Sequence, residues 1–285
     1  MSLTTTVNGL WILQALLGIE TMPVALRVKP FIPSVHGELV VDTTAGPLPI
    51  QQTGEYLGLV AAGVIDARGD VDDIVRDWMT VLGRPERQVL LMIRRPNGHG
   101  TDGTPLVHER IMAVCQHRRW LAMIARDGDE VVIDAVGEAD SPSAQVELMC
   151  QPLLAALGDS PAAQIDGFNL PTDLLQSTME HAHAGGRDTV TAAMARLGLQ
   201  PQQAEVLAAG TRHDESAMAV VAVVDRGISH HVHPQVLTVA DTEYGRISMT
   251  TTTGADGRQW MSMWPATVAE LADDLARLLA APKAA

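Results

Sequence analysis

Residues 87–136 read RQVLLMIRRPNGHGTDGTPLVHERIMAVCQHRRWLAMIARDGDEVVIDAV. Four apolar runs of strand length are separated by segments rich in Gly, Pro, Asn and Asp, the residues that tolerate the positive φ of hairpin turns. The pattern predicts four consecutive antiparallel strands, a meander. Residues 107–116 are nearly continuously apolar after His108, Glu109 and Arg110, so both faces of this sheet are expected to be largely covered. The protein's own helices can cover one face, which leaves the other for something else.

Outward from the meander, residues 3–7 predict a strand, and Asn8 is the expected cap of a helix from Gly9 to about Gly18. Residues 24–28 predict another strand, whereas the proline-rich stretch 30–49 has no periodicity and reads as an irregular loop. Helices are predicted over 53–63 and 71–82. In the second, Asp70 is the expected cap and Ile74, Val75, Trp78, Met79 and Leu82 form one apolar face. Residues 141–158 predict a helix kinked at Pro152. A short linker then leads to helices at 171–184, 188–197 and 201–209, strands at 217–224, 229–238, 246–253 and 259–264, and an amphipathic helix at 268–279. Helices leading into about four antiparallel strands and closing on a helix occur twice, so 71–158 and 189–281 read as two versions of one unit. The expected fold is α+β, with one sheet or two joined sheets flanked by helices about a quasi-two-fold axis.

Composition narrows the function. The chain has 285 residues, 46% of them apolar, enough for a sizeable core. Its net charge is −14 and its arginines are scattered, so no basic stripe is available for nucleic acid or anionic membranes. The apolar run at 10–19 is too short to span a bilayer. Two cysteines, Cys115 and Cys150, are too few for a disulfide framework and fit a reducing cytoplasm.

Candidate chemistry is sparse. Gly98, Gly100 and Gly103 satisfy GxGxxG, but Thr104 and Pro105 lead into a strand where a dinucleotide loop needs a helix N-terminus, so a hairpin tip is expected. His230, His231 and His233 lie on a predicted strand with His231 and His233 on one face; a zinc site needs three or four ligands, and solvated or capping roles compete with it. His181 and His183 point apart on a helix. Asp127, Asp129 and Glu130 sit in a predicted turn, and both cysteines read as core. Met92, Met112, Met123, Met218, Met249, Met261 and Met263 all fall on predicted strands, as core filling or as a pliable apolar surface for a partner.

Several phrases, together with the order of elements, resemble the EspG family, cytosolic chaperones of mycobacterial type VII (ESX) secretion. They are VNGLWILQALLG and PVALRVKP near the start, VRDWMTVLGRPERQV before the meander, RRWLAMIARDGDEVVIDAV within it and YGRISMTTTTGADGRQWMSMWP near the end. The resemblance implies a central antiparallel sheet flanked by two helical bundles with quasi-two-fold symmetry, residues 1–160 and 161–285 forming the halves of a single domain. It also implies a non-catalytic, cofactor-free protein that shields the hydrophobic tip of the PPE subunit of PE–PPE heterodimers and targets them for secretion. In relatives that tip meets the long hairpin loop, the adjacent sheet and the C-terminal bundle. Carried onto this sequence, the contact candidates are Arg94, Asn97, His99, Thr101, Asp102, Met112, Met123, Met179, His183 and Arg187. Residues 96–105, with three glycines, are expected not to hold one conformation unaided and to order against a partner. The segment 30–49, helical in several relatives, departs from the family pattern.

Two other classes stay open on the residues alone. One is a metal-dependent hydrolase using His230, His231 and His233; the other is a structural domain that self-associates through its sheet edges.

Overall fold

In the computed structural model, residues 2–33, 39–43, 46–182, 186–212, 214–226 and 230–281 are described. The first strand, β1 (Ser2–Thr6), runs straight into helix α1 (Val7–Leu17). Thr6, rather than Asn8, is its cap: the Thr6 hydroxyl accepts from the Gly9 N–H, and the helix ends on Gly18 at φ 64°. Val24–Leu26 form a single 3-10 turn where a strand was expected, because Arg27 takes φ 51° and buries Leu26. The proline-rich segment contains a small hairpin of β2 (Val40–Thr43) and β3 (Gly46–Pro49). Helices α2 (Gly54–Ala61) and α3 (Asp73–Gly83) follow. Asp72, not Asp70, caps α3 by accepting from the N–H groups of Ile74 and Val75.

The meander comprises β4 (Arg87–His99), β5 (Pro105–His117), β6 (Trp120–Asp127) and β7 (Glu130–Glu138), and α4 (Pro142–Leu157) closes the first half with Pro152 inside it. The second half opens on β8 (Phe168–Pro171), a strand too short to announce itself in sequence. Helices α5 (Thr172–Ala182), α6 (Gly186–Arg196) and α7 (Pro201–Gly210) lead into β9 (Ala217–Arg226), β10 (His230–Thr242), β11 (Gly245–Thr253) and β12 (Gln259–Pro265). Helix α8 (Val268–Leu279) ends the described chain, started by a capping box in which Thr267 and Glu270 bond reciprocally.

All strands except β2 and β3 join one ten-stranded antiparallel sheet in the order β1-β7-β6-β5-β4-β9-β10-β11-β12-β8. Read outward from the β4–β9 pair, each side carries three further meander strands and then the strand that opens its half. This is the quasi-two-fold repeat, and its axis passes through the pairing centred near Leu91↔Val221.

Strand alternation assigns the two faces. Val89, Leu91, Ile93, Val114, Val221, Val223, Leu237 and Val239 pack beneath α4 and α8. On the opposite face, Ile111, Ala113, Cys115, Ile124 and Ile133 pack beneath α1–α3, while Ala240, Ile247, Met249, Met261 and Met263 pack beneath α5–α7. Two helical bundles thus stand side by side on one face, and the α4–α8 pair covers the other.

Two buried arginines tie the α4–α8 layer to the sheet. Arg87 donates to both carboxylate oxygens of Asp225, at 2.6 and 3.0 Å, and to the carbonyls of Leu279 and Ala281 at the end of α8. Arg246 grips Asp241 in the same bidentate way and donates to the carbonyls of Leu157 and Gly158 at the end of α4. Each guanidinium supplies the donors that a helix C-terminus lacks.

Candidate docking site

Where the two bundles meet above the sheet centre, the alternation on β9 divides cleanly. Ala219, Val221 and Val223 are buried under the α4–α8 layer, whereas Met218, Val220, Ala222 and Val224 are half-buried on the bundle face. Leu90 and Met92 of β4 pair with Ala222 and Val220 and are half-buried on the same face. The result is an apolar strip along the sheet centre with a bundle on either side.

At one end the β4–β5 hairpin projects from the sheet. Its ladder extends to His99↔Pro105, with a register shift after Pro96, so the free turn is shorter than the sequence suggested. Main-chain pairing continues where the side chains become polar and exposed, and the tip is closed locally. Gly100 and Thr104 bond across it, the Asp102 carboxylate accepts from the Thr104 N–H at 3.0 Å, and Gly98 and Gly103 supply φ 78°. Bonds from the Thr104 backbone and hydroxyl hold the Asp102 carboxyl below its usual range. At the hairpin base, Arg94 bonds its cross-strand partner Glu109 at 2.9 Å, and Glu109 also pairs with Arg27 at 3.0 Å.

The hairpin faces the C-terminal bundle across a cleft of about 340 Å³, lined by Pro105, Val107, Met179, Val190, Thr211 and Arg212, among others. Charged groups rim it. Arg212 bonds Asp214 at 2.7 Å and Glu215 at 3.2 Å; hydrogen bonding from Arg212, with a smaller contribution from nearby His99, holds the Asp214 carboxyl below its usual range. Arg187 bonds Glu243 and the Tyr244 hydroxyl and stacks on the Tyr244 ring at 5.5 Å.

The structure brings some of the sequence candidates together and separates others. Asn97, His99, Thr101 and Asp102 lie on the hairpin tip, Arg94 at its base, and Met179 and Arg187 on the bundle opposite. Met112 and Met123 pack against the cluster under α4, on the other face of the sheet, because their places in β5 and β6 are out of phase with Ile111 and Ile124. His183 lies outside the described residues. Val107 and Val190 fall within the hairpin and bundle regions that the resemblance implies, whereas Arg212, Asp214 and the β9 strip were not reached by sequence reasoning. In β9 the run AVVAVV is apolar at every position, so no period-two signal separates the open face from the covered one.

His233 bonds buried Asp225 at 2.8 Å, within the Arg87 network, and the exposed His231 ring lies edge-on to it at 5.5 Å. Among the described residues, no three His, Cys, Asp or Glu side chains are placed to hold a metal ion. Burial raises the Cys115 thiol to about 12 and the Cys150 thiol to about 11, so both are protonated at neutral pH. Among the described residues, no helix is long and apolar enough to cross a membrane.

Comparison with known proteins places this architecture. The ESX-2 secretion-associated protein EspG2 of Mycobacterium tuberculosis is 25% identical over 97% of this chain and 94% of its own length. The ESX-5 secretion-associated protein EspG5 of Mycobacterium marinum is 23% identical over 93% and 88%. The solved structure of the Mycobacterium tuberculosis type VII secretion system chaperone EspG5, in complex with a PE25–PPE41 dimer, shares the fold with a TM-score of 0.75 at 20% identity, over 98% of this chain and 95% of that one. The model of the EspG family matches residues 6–277, and the chain therefore belongs to that family.

Proposed function

We propose that the protein is a type VII (ESX) secretion chaperone that binds a PE–PPE heterodimer by covering the hydrophobic tip of its PPE subunit. The observation that carries this reading is the half-buried apolar strip of Leu90, Met92, Val220, Ala222 and Val224, which lies open between two bundles. Burying such a surface contributes roughly 25 cal/mol per Å², before association costs. The hairpin residues Asn97, His99, Thr101 and Asp102 and the bundle residues Met179 and Arg187 form the polar rim of the same site, with Arg94 fixing the hairpin base. We place Met112 and Met123 beneath α4 as supports of the hairpin strands, and keep His183 as a partner-contact candidate. EspG5, whose fold this chain shares, was solved in complex with a PE25–PPE41 dimer, and that supports the partner class.

Shielding an apolar tip needs no nucleophile or metal, and the reading is of a non-catalytic protein acting in the cytoplasm before secretion. Co-expression with PE–PPE pairs from the same genome, followed by size-exclusion chromatography with light scattering, tests it. One copy of each chain co-eluting with one pair and not with others is the expected result. A folded protein that captures no pair would refute the reading.

A further inference from the structure

A second large concavity of the molecule lies on the face away from the strip and the hairpin cleft. It is a groove of about 960 Å³ between the N-terminal half of α4 and the C-terminal half of α8. Val146, Cys150 and Leu154 line one wall and Ala272, Ala276 and Ala280 the other, each set at four-residue spacing, so two helix ridges bound an open channel. From Pro142 to Leu154 the wall is about 18 Å long at 1.5 Å per residue, the length of a three-turn helix.

Charge selects the occupant. Glu147 stands on the α4 rim and Asp273 on the α8 rim; both are exposed, and among the described residues neither has an ion-pair partner. Among the described residues the basic side chain in the lining is Arg87, which is already gripped by Asp225 and carries no free charge for a ligand. An apolar channel between two unpaired carboxylates rejects an anionic lipid. It also rejects a second copy of this chain, whose net charge is −14. It fits a helix whose apolar ridge enters the channel while basic residues on both flanks meet the rims.

We propose that the α4–α8 groove is a second docking surface, for a basic amphipathic helix of about three turns from another protein. The occupant of the bundle face is approached from the opposite side of the sheet, so both surfaces can be filled at once. This inference does not rest on the PE–PPE reading.

The probe is a synthetic helical peptide of about fourteen residues with leucines at i, i+4, i+7 and i+11 and lysines on both flanks, titrated into the full chain by fluorescence anisotropy. Saturable binding is expected, with at least tenfold loss in the double variant Glu147→Lys/Asp273→Lys. The same peptide carrying glutamates for lysines should bind that double variant at least tenfold better than it binds the parent. Ala276→Leu, which fills the channel without changing charge, should also weaken the parent peptide. Circular dichroism checks that each variant is folded. The proposal is overturned by absence of binding or by binding indifferent to charge reversal. Concentration-dependent dimerisation that the double variant abolishes would assign the groove to a second copy and overturn it equally. All readouts use the protein alone, so their outcome is separate from whether a PE–PPE pair binds.

Discussion

Val220 and Val221 are neighbours in sequence and opposites in environment. Val221 is completely buried beneath the α4–α8 layer, while Val220 is half-buried on the strip. Val221→Lys is expected to prevent folding, since a buried unpaired ammonium costs more than a domain's stability margin. Val220→Lys should leave the melting temperature within about 3 °C of the parent, a surface-sized effect of ~0.5 kcal/mol, and abolish co-elution with a PE–PPE pair. Loss of folding in both variants would mean that the strip is core and not surface. A second residue-scale expectation concerns Glu270, whose carboxyl is held below its usual range by bonds from the Thr267 backbone and hydroxyl. A lowered folded pKa means that the stabilisation is complete above the unfolded value of about 4.3 and disappears as pH falls through the lower folded value. Urea titrations between neutral pH and pH 3 should therefore show a shallower acid decline in Glu270→Gln than in the parent. Thr267→Ala should cost about 1 kcal/mol at neutral pH, the usual worth of a cap.

At the scale of elements, the meanders were legible because turns announce themselves. RDGDE between β6 and β7 places Gly128 at φ 60°, and the expected hairpin is there. Caps were misplaced by two residues, at Asn8 for Thr6 and Asp70 for Asp72, because several adjacent side chains can accept the same amide and only the entry angle of the chain decides between them. Three short strands, β2, β3 and β8, were invisible: four residues do not establish a period, and in β3 Pro47 and Pro49 argue against pairing except at an edge. The β4–β5 hairpin was recognised but undervalued. Its polar sequence reads as loop, whereas backbone pairing, which needs no particular side chain, carries the strands to His99 and Pro105. Because that extension touches the core little, replacing 98–103 by a two-residue turn should leave thermal stability nearly unchanged. Affinity for the PE–PPE pair should fall at least tenfold. Equal loss of both quantities would show that the tip is structural.

For the whole molecule, the repeat was legible in the order of elements, helices leading into four strands and closing on a helix, twice. What no sequence pattern could supply was the way the halves join. β4 and β9 pair side by side at the centre, so the sheet is continuous and the strip lies on the joint itself. The candidate docking surface is thus a property of two segments about 130 residues apart in the chain, as Leu90↔Ala222 illustrates, and neither segment alone predicts it. We place the division of the halves between residues 160 and 161. Expressed separately, 1–160 and 161–285 should each be insoluble, because each exposes a long apolar edge at β4 or β9. Co-expressed, they should reassemble into a soluble complex, detectable by affinity capture of one half through a tag on the other. Soluble, independently folded halves would contradict a shared core.

The two arginine clamps bear on how the protein is made. Arg87 is synthesised early, yet the carbonyls it holds belong to Leu279 and Ala281, nearly the last residues described; the carbonyls ending α4 wait in turn for Arg246. A nascent first half leaving the ribosome carries a guanidinium destined for burial with nothing to neutralise it, and a helix end with nothing to cap it. The α4–α8 layer cannot be latched to the sheet until Leu279 and Ala281 have emerged. Translation therefore sets a clock: a partially made chain presents no finished surface, and a truncated product is left unlatched at both clamps and open to proteolysis.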